Sequence, residues 1–220
     1  MRTLVALVVS VSLALVPQIG FAQDLLLEDY EGNGPLTVAE WSNTQEDSEG
    51  NANAAQDAGE YATVSWATKW SGLPSTNYDD AMDLSKYKTY QVDVMVEEGQ
   101  PMEEGASFFL QLLCETEVGY AYWEAYVPQS LVAADGKWYR VRVPIDSMKA
   151  VAGDGAELPT DRKTIVGCCN GMAFDEDGSS FKFKKCAFDN VVVSTTEVEK
   201  TAASAKDAAE KSAEKSEFVE

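Results

Sequence analysis

"GYAYWEAYVP", residues 119–128, alternates with a period of two. Tyr120, Tyr122, Glu124 and Tyr126 fall on one side of an extended chain, and Ala121, Trp123, Ala125 and Val127 fall on the other. A helix would scatter both sets around its circumference, so the stretch reads as a strand with one apolar face turned to a core. The pattern recurs on either side of it. In "SFFLQLLC", 107–114, Phe109, Gln111 and Leu113 oppose Phe108, Leu110 and Leu112. In "GKWYRVRVP", 136–144, Tyr139, Val141 and Val143 oppose Trp138, Arg140 and Arg142, and Pro144 ends the pairing. The valine side is the core side, which places Trp138 and the two arginines outside it, in ion pairs with an acidic surface.

Extending this reading along the chain gives strands at 24–30, 60–68, 89–96, 107–114, 120–127, 138–144, 165–174 and 181–194, separated by Gly, Asn, Asp and Pro clusters. No core helix interrupts them; "IDSMKAV", 145–151, allows one helical turn. The expected fold is all-β, a jelly-roll β-sandwich of about eight antiparallel strands. An immunoglobulin-like sandwich fits less well, because its Cys-Trp-Cys spacing is absent.

Three segments stand apart from the strands. Residues 1–22 carry a basic start at Arg2, the apolar run "LVALVVSVSLALV" and "GFA" ahead of Gln23, the layout of a secretory signal. The run of 13 residues is short of the roughly 20 that span a bilayer, so the domain at 23–194 is expected to be secreted or periplasmic, with no transmembrane segment in the mature chain. "NTQEDSEGNANAAQDAGE", 43–60, reads as a surface loop. The Ala/Lys/Glu-rich tail, 195–220, reads as a solvated helix or a disordered segment, since it lacks an apolar stripe. Attachment to a protein partner is the functional alternative for that tail.

Charge and composition exclude whole classes of chemistry. The formal charge is -20, or -21 once Arg2 leaves with the signal, and 17 basic against 37 acidic residues provide no patch for nucleic acid. With no histidine in the chain, Ser-His-Asp and Cys-His catalysis and imidazole metal sites are absent. Any hydrolase here would have to run on carboxylates. The four cysteines, Cys114, Cys168, Cys169 and Cys186, suggest disulfides in an exported chain. Adjacent Cys168 and Cys169 point in opposite directions if extended, so each is able to bridge to a different partner among Cys114 and Cys186, giving two bridges or one.

Four stretches occur in an informative order: "LLLEDYEGN" (25–33), "MDLSKYKTYQVDVMVEEG" (82–99), "GKWYRVRVPIDSM" (136–148) and "FDNVVVS" (188–194). Together they resemble the jelly-roll carbohydrate-binding modules of the galactose-binding-like group. In "DLSKY", Asp83 and Ser85 are placed to fix a turn by bonding nearby backbone N–H groups. Asp189 is the odd residue of the last stretch, a carboxylate between Phe188 and the valines, where burial without compensation costs several kcal/mol. The resemblance implies that the first and last strands lie close together and share a structural calcium ion. Glu28, Asp29 and Glu31 are then its hard oxygen ligands together with Asp189. Turn capping or an ion pair would account for Asp189 equally well, and "DEDG", 175–178, is a second acidic turn.

The tyrosine face of 120–126 is the candidate binding surface. Aromatic rings pack on the C–H faces of a sugar, and Gln111, Glu124 or Asp93 supply directional partners for hydroxyls. The expected function is therefore non-catalytic binding of a polysaccharide or glycan, with Trp66, Trp70 and Tyr78 as a rim in "KWSGLPSTNYDD" and the residues before it. The alternatives are a structural or interaction protein of the cell envelope, and a carboxylate-based glycanase or polysaccharide lyase.

Overall fold

The structure is a computed structural model that describes residues 23–28, 36–38, 62–64, 70–73, 76–100, 106–173 and 186–205. Its strands are β1 (Asp24–Glu28), β2 (Leu36–Val38), β3 (Ala62–Val64), β4 (Trp70–Gly72), β5 (Thr76–Met82), β6 (Thr89–Val96) and β7 (Ser107–Cys114). They continue as β8 (Tyr120–Pro128), β9 (Trp138–Pro144), β10 (Lys149–Gly153), β11 (Ile165–Ala173), β12 (Cys186–Ser194) and β13 (Ala202–Ala205). The first sheet runs β1-β12-β6-β9-β13 with β3 beside β12; the second runs β10-β8-β7-β11-β5-β2 with β4 beside β11. Every pairing is antiparallel, so the architecture is the expected two-sheet sandwich.

The core lies between the sheets and follows the alternation. Tyr90, Val92, Val94 and Val96 of β6 and Val141 and Val143 of β9 face Phe108, Leu110 and Leu112 of β7 and Val127 of β8. The rings of Phe108 and Phe188 meet edge to face at 6.2 Å, one from each sheet. A polar tie crosses the same core: the Tyr90 hydroxyl donates to Asn170 Oδ1 at 2.8 Å. These contacts fix how one sheet sits over the other.

The strand expected at 181–194 begins at Cys186 among the described residues and contains the feature that explains Asp189. Pairing with β6 shifts register between Asp189 and Val192, and Asn190 adopts a φ of 45°. Asparagine tolerates that left-handed conformation better than most residues. The extra residue lets Phe188 and Val191, three apart, both face the core. Asp189 Oδ1 accepts the Asn190 backbone N–H at 2.8 Å, capping the bulge. Beside it, Asp93 stands opposite both Asp189 and Arg140, and the guanidinium grips both carboxylate oxygens, with Nη2 donating to Oδ2 at 2.9 Å. Asn190 Nδ2 adds a donor to Asp93 Oδ2 at 3.1 Å.

Four expectations need correction. The cysteines form no disulfide, and all four are buried. Cys114 pairs with Ile165 whereas Cys168 pairs with Leu112, a diagonal separation of roughly 7–8 Å between Cα atoms, too long to bridge. Cys186 is in the facing sheet, and Cys169 looks away from the core toward Phe109. Burial, with the nearby Asp161 charge, pushes the Cys114 thiol up to about 11, and burial raises Cys186 well above its usual value.

The second correction concerns part of the tail: residues 202–205 form β13 along β9 instead of a helix or disordered segment, and 206–220 lie outside the described residues. Composition argued against a strand, because alanine has low β-propensity, yet the free edge of β9 supplies the hydrogen bonds. The helical turn near 145 is present as a 3-10 turn over Ile145–Ser147, and the third correction is that Lys149–Gly153 continue as the strand β10. Last, the polar run 76–82 is the strand β5, held by β11 and β2, and its Tyr78 is buried in the core rather than on a rim. Trp66 and residues 1–22 lie outside the described residues. No helix among the described residues is long and apolar enough to cross a membrane.

Candidate ligand-binding face

Strand β8 sits between β10 and β7, and its alternation places four side chains on the outer face of the second sheet. Cross-strand register then arranges that face in rows. Lys149, Glu124, Gln111 and Cys169 form one row across β10, β8, β7 and β11. Val151, Tyr122, Leu113 and Gly167 form the next, and Tyr126 and Phe109 stand opposite each other on the far side of Glu124.

Exposure falls steeply along these rows. Tyr120 and Tyr126 are 46% and 45% exposed, and Tyr122 and Glu124 are half-buried. Phe109, Gln111 and Cys169 are buried. The open part of the face is therefore β8 and its edge neighbour β10.

Two glycines shape this edge. Gly119 has a φ of 64°, and a Cβ there would lie 2.2 Å from the Gly153 carbonyl oxygen. The absence of a side chain is what lets β8 start so close to the end of β10. At Gly153 a Cβ would meet the Tyr120 ring itself, at 2.3 Å from Cζ, so that ring lies against bare backbone. Tyr122 stacks on Tyr120 with ring centroids 5.8 Å apart and planes 18° from parallel. The outcome is a pair of nearly parallel rings seated on the β8–β10 ladder.

A carboxylate adjoins the rings. Burial, then the Glu124 charge and a hydrogen bond to Glu124, hold the Tyr126 hydroxyl above its ordinary pKa. Burial and the same charge also raise Tyr122. Both phenols stay protonated and keep a donor at neutral pH. Glu124 bonds the Tyr126 hydroxyl, while its Oε2 is buried and has no hydrogen-bond partner.

The sequence-predicted site residues divide accordingly. Tyr120, Tyr122, Glu124 and Tyr126 come together, with Gln111 opposite Glu124 on the buried side of the row. Asp93 does not join them: it belongs to the other sheet, fully buried in its ion pair with Arg140. Of the proposed calcium ligands, Glu28 and Asp189 are buried carboxylates on the paired strands β1 and β12, and Asp29 and Glu31 lie outside the described residues. Among the described residues no group of three or more His, Cys, Asp or Glu side chains is arranged to hold a metal. Gly119, Gly153 and Val151 were missed, although the small and β-branched run "AVAG", 150–153, was a signal for a strand able to approach another closely.

No family model matches the chain, and no curated protein matches it. Among solved structures the chain is similar to a family 11 carbohydrate-binding module from Clostridium thermocellum, in complex with a beta-1,3-1,4-mixed-linked tetrasaccharide. The two are 17% identical with a TM-score of 0.45, over 77% of this chain and 94% of that one.

Proposed function

We propose that the protein is an exported, non-catalytic polysaccharide-binding module whose contact surface is the β8–β10 face. The observation that carries this reading is the stacked, partly exposed pair Tyr120 and Tyr122 beside the half-buried Glu124 carboxylate. The aromatic surface takes the apolar face of a pyranose while Glu124 and the tyrosine hydroxyls take its hydroxyl groups. Such a site orients a sugar but has no second carboxylate placed opposite Glu124 among the described side chains of its row, so retention rather than bond cleavage is the expected outcome.

Affinity electrophoresis through gels containing neutral and acidic polysaccharides tests the reading. Wild type is expected to be retarded by at least one neutral polymer. Tyr122→Ala should weaken retention roughly tenfold or more, corresponding to about 1.5–3 kcal/mol of lost aromatic burial. Glu124→Gln should cost less, because the amide keeps an acceptor. Retardation by no polymer, from a sample with a cooperative melt, would reject the module; release of reducing ends would replace it with a carboxylate-based enzyme.

A structural calcium ion bound by Glu28, Asp189 and the carboxylates of Asp29 and Glu31 belongs to the same proposal. Its support is chemical: Glu28 and Asp189 are hard, anionic oxygen donors buried on two paired strands. Calcium at a hundredfold excess over its Kd should raise Tm by about 5 °C or more, reversed by EDTA. An unchanged melt together with no bound metal by elemental analysis would remove the ion from the account.

A further inference from the structure

We infer that the face reads its ligand lengthwise along β8, from Tyr120 to Tyr126, and that Gly153 on the neighbouring strand positions the ring at one end of that track. The inference rests on the glycan-binding reading above and adds the axis, the extent and a positioning residue. Exposure sets the axis. Moving across the sheet from β8 toward β7 and β11 leads to Phe109, Gln111 and Cys169, which are at most 6% exposed, and in the other direction the sheet ends at β10. Moving along β8 leads instead from one open ring to another, past Tyr122 and Glu124. A chain laid across the strands would lose contact after one row, whereas one laid along β8 meets an aromatic ring or a carboxylate at every outward position.

The extent follows from strand geometry. Tyr120 and Tyr126 are six residues apart, about 20 Å at the rise of an antiparallel strand. The fitting ligand is therefore a linear, extended polysaccharide with one face free of branches, rather than a single sugar or a chain terminus.

Gly153 sets one end because its bare backbone is what the Tyr120 ring lies on. The backbone at Gly153 does not have the left-handed φ that would demand glycine, unlike Gly119, Gly136 and Gly155. Alanine at 153 thus strains no main chain, and the atoms its methyl would meet belong to the movable end of the Tyr120 side chain. One added methyl lifts one ring and leaves the ladder in place. This makes Gly153→Ala a selective probe of the Tyr120 end.

The experiment is calorimetric titration with ladders of linear oligosaccharides, disaccharide to octasaccharide, prepared from cellulose, xylan, mannan and chitin. For the ladder that binds, wild-type affinity should climb with length and level off once both ends of the track are covered. In Gly153→Ala and Tyr120→Ala the plateau should be lower by roughly tenfold and reached at a shorter length. The double variant should be no weaker than Tyr120→Ala alone, since both changes act through one ring. Tyr126→Ala should shorten the track from its other end. An affinity independent of length, an equal loss at every length, or additive losses in the double variant would overturn the lengthwise track while leaving glycan binding intact. Binding of no oligosaccharide by wild type would overturn both readings together.

Discussion

Arg140→Ala should lower the stability of the protein by about 3–5 kcal/mol, measured as a shift of the urea midpoint at constant slope. The guanidinium is buried and holds both oxygens of Asp93, itself fully buried. Asp93 in turn stands opposite Asp189 across the β6–β12 ladder. Removing the cation leaves Asp93 with the Asn190 amide and a neighbouring carboxylate, in a place where water cannot replace the lost charge. The same reasoning predicts that a double change, Arg140→Met with Asp93→Leu, recovers much of the loss, because an apolar pair of similar volume avoids the desolvation of two ions. A single-variant loss under about 1 kcal/mol would mean that the cluster is far wetter than its burial indicates.

Gly119→Val should be nearly as damaging, by at least about 2 kcal/mol, and should also abolish ligand retention. A β-branched residue is strained at a φ of 64°, and its Cβ would overlap two backbone carbonyls, of Gly153 and Asp154, at 2.2 and 2.7 Å. Backbone cannot step aside as a ring can, so β10 must part from the start of β8. Hydrogen exchange would show this directly as lost protection at 149–153 with the β6, β9 and β12 amides still protected. Protection unchanged at 149–153 would refute the close approach. The contrast with Gly153→Ala is instructive: two glycines on neighbouring strands, one required by the main chain and the other by a side chain.

Alternation made the faces of β7, β8 and β9 legible, and the bounds of β9 match the sequence reading residue for residue. Period two says which side of its own strand a residue occupies, but not which sheet that strand joins. Asp93 shows the limit: it points away from the core, as Glu124 does, yet on the opposite side of the sandwich. The cysteines show another, since their count invited bridges that depend on a register invisible in one chain. Strands β5, β10 and β13 were hidden because their residues favour loops or helices, and the partners that hold them straight are distant in sequence. Three tyrosines and Glu124 could be grouped by spacing alone; Gly153 could join them only once β10 was known to lie beside β8.

Strand β13 bears on where this protein can be shortened. It covers only Tyr139 to Arg142 of β9, adding the Ala203 methyl to the core and a hydrogen bond in which Arg142 Nη1 donates to the Ser204 hydroxyl at 2.9 Å. A chain ended at 194, where the sequence alone would have cut it, would uncover a row of unpaired amides and carbonyls beside an apolar strand. Such a row is an adhesive template for foreign chains, and in a recombinant sample it would present as clumping that mimics misfolding. The alanines of 202–205 thus serve as a bumper, and a workable fragment has to run through residue 205.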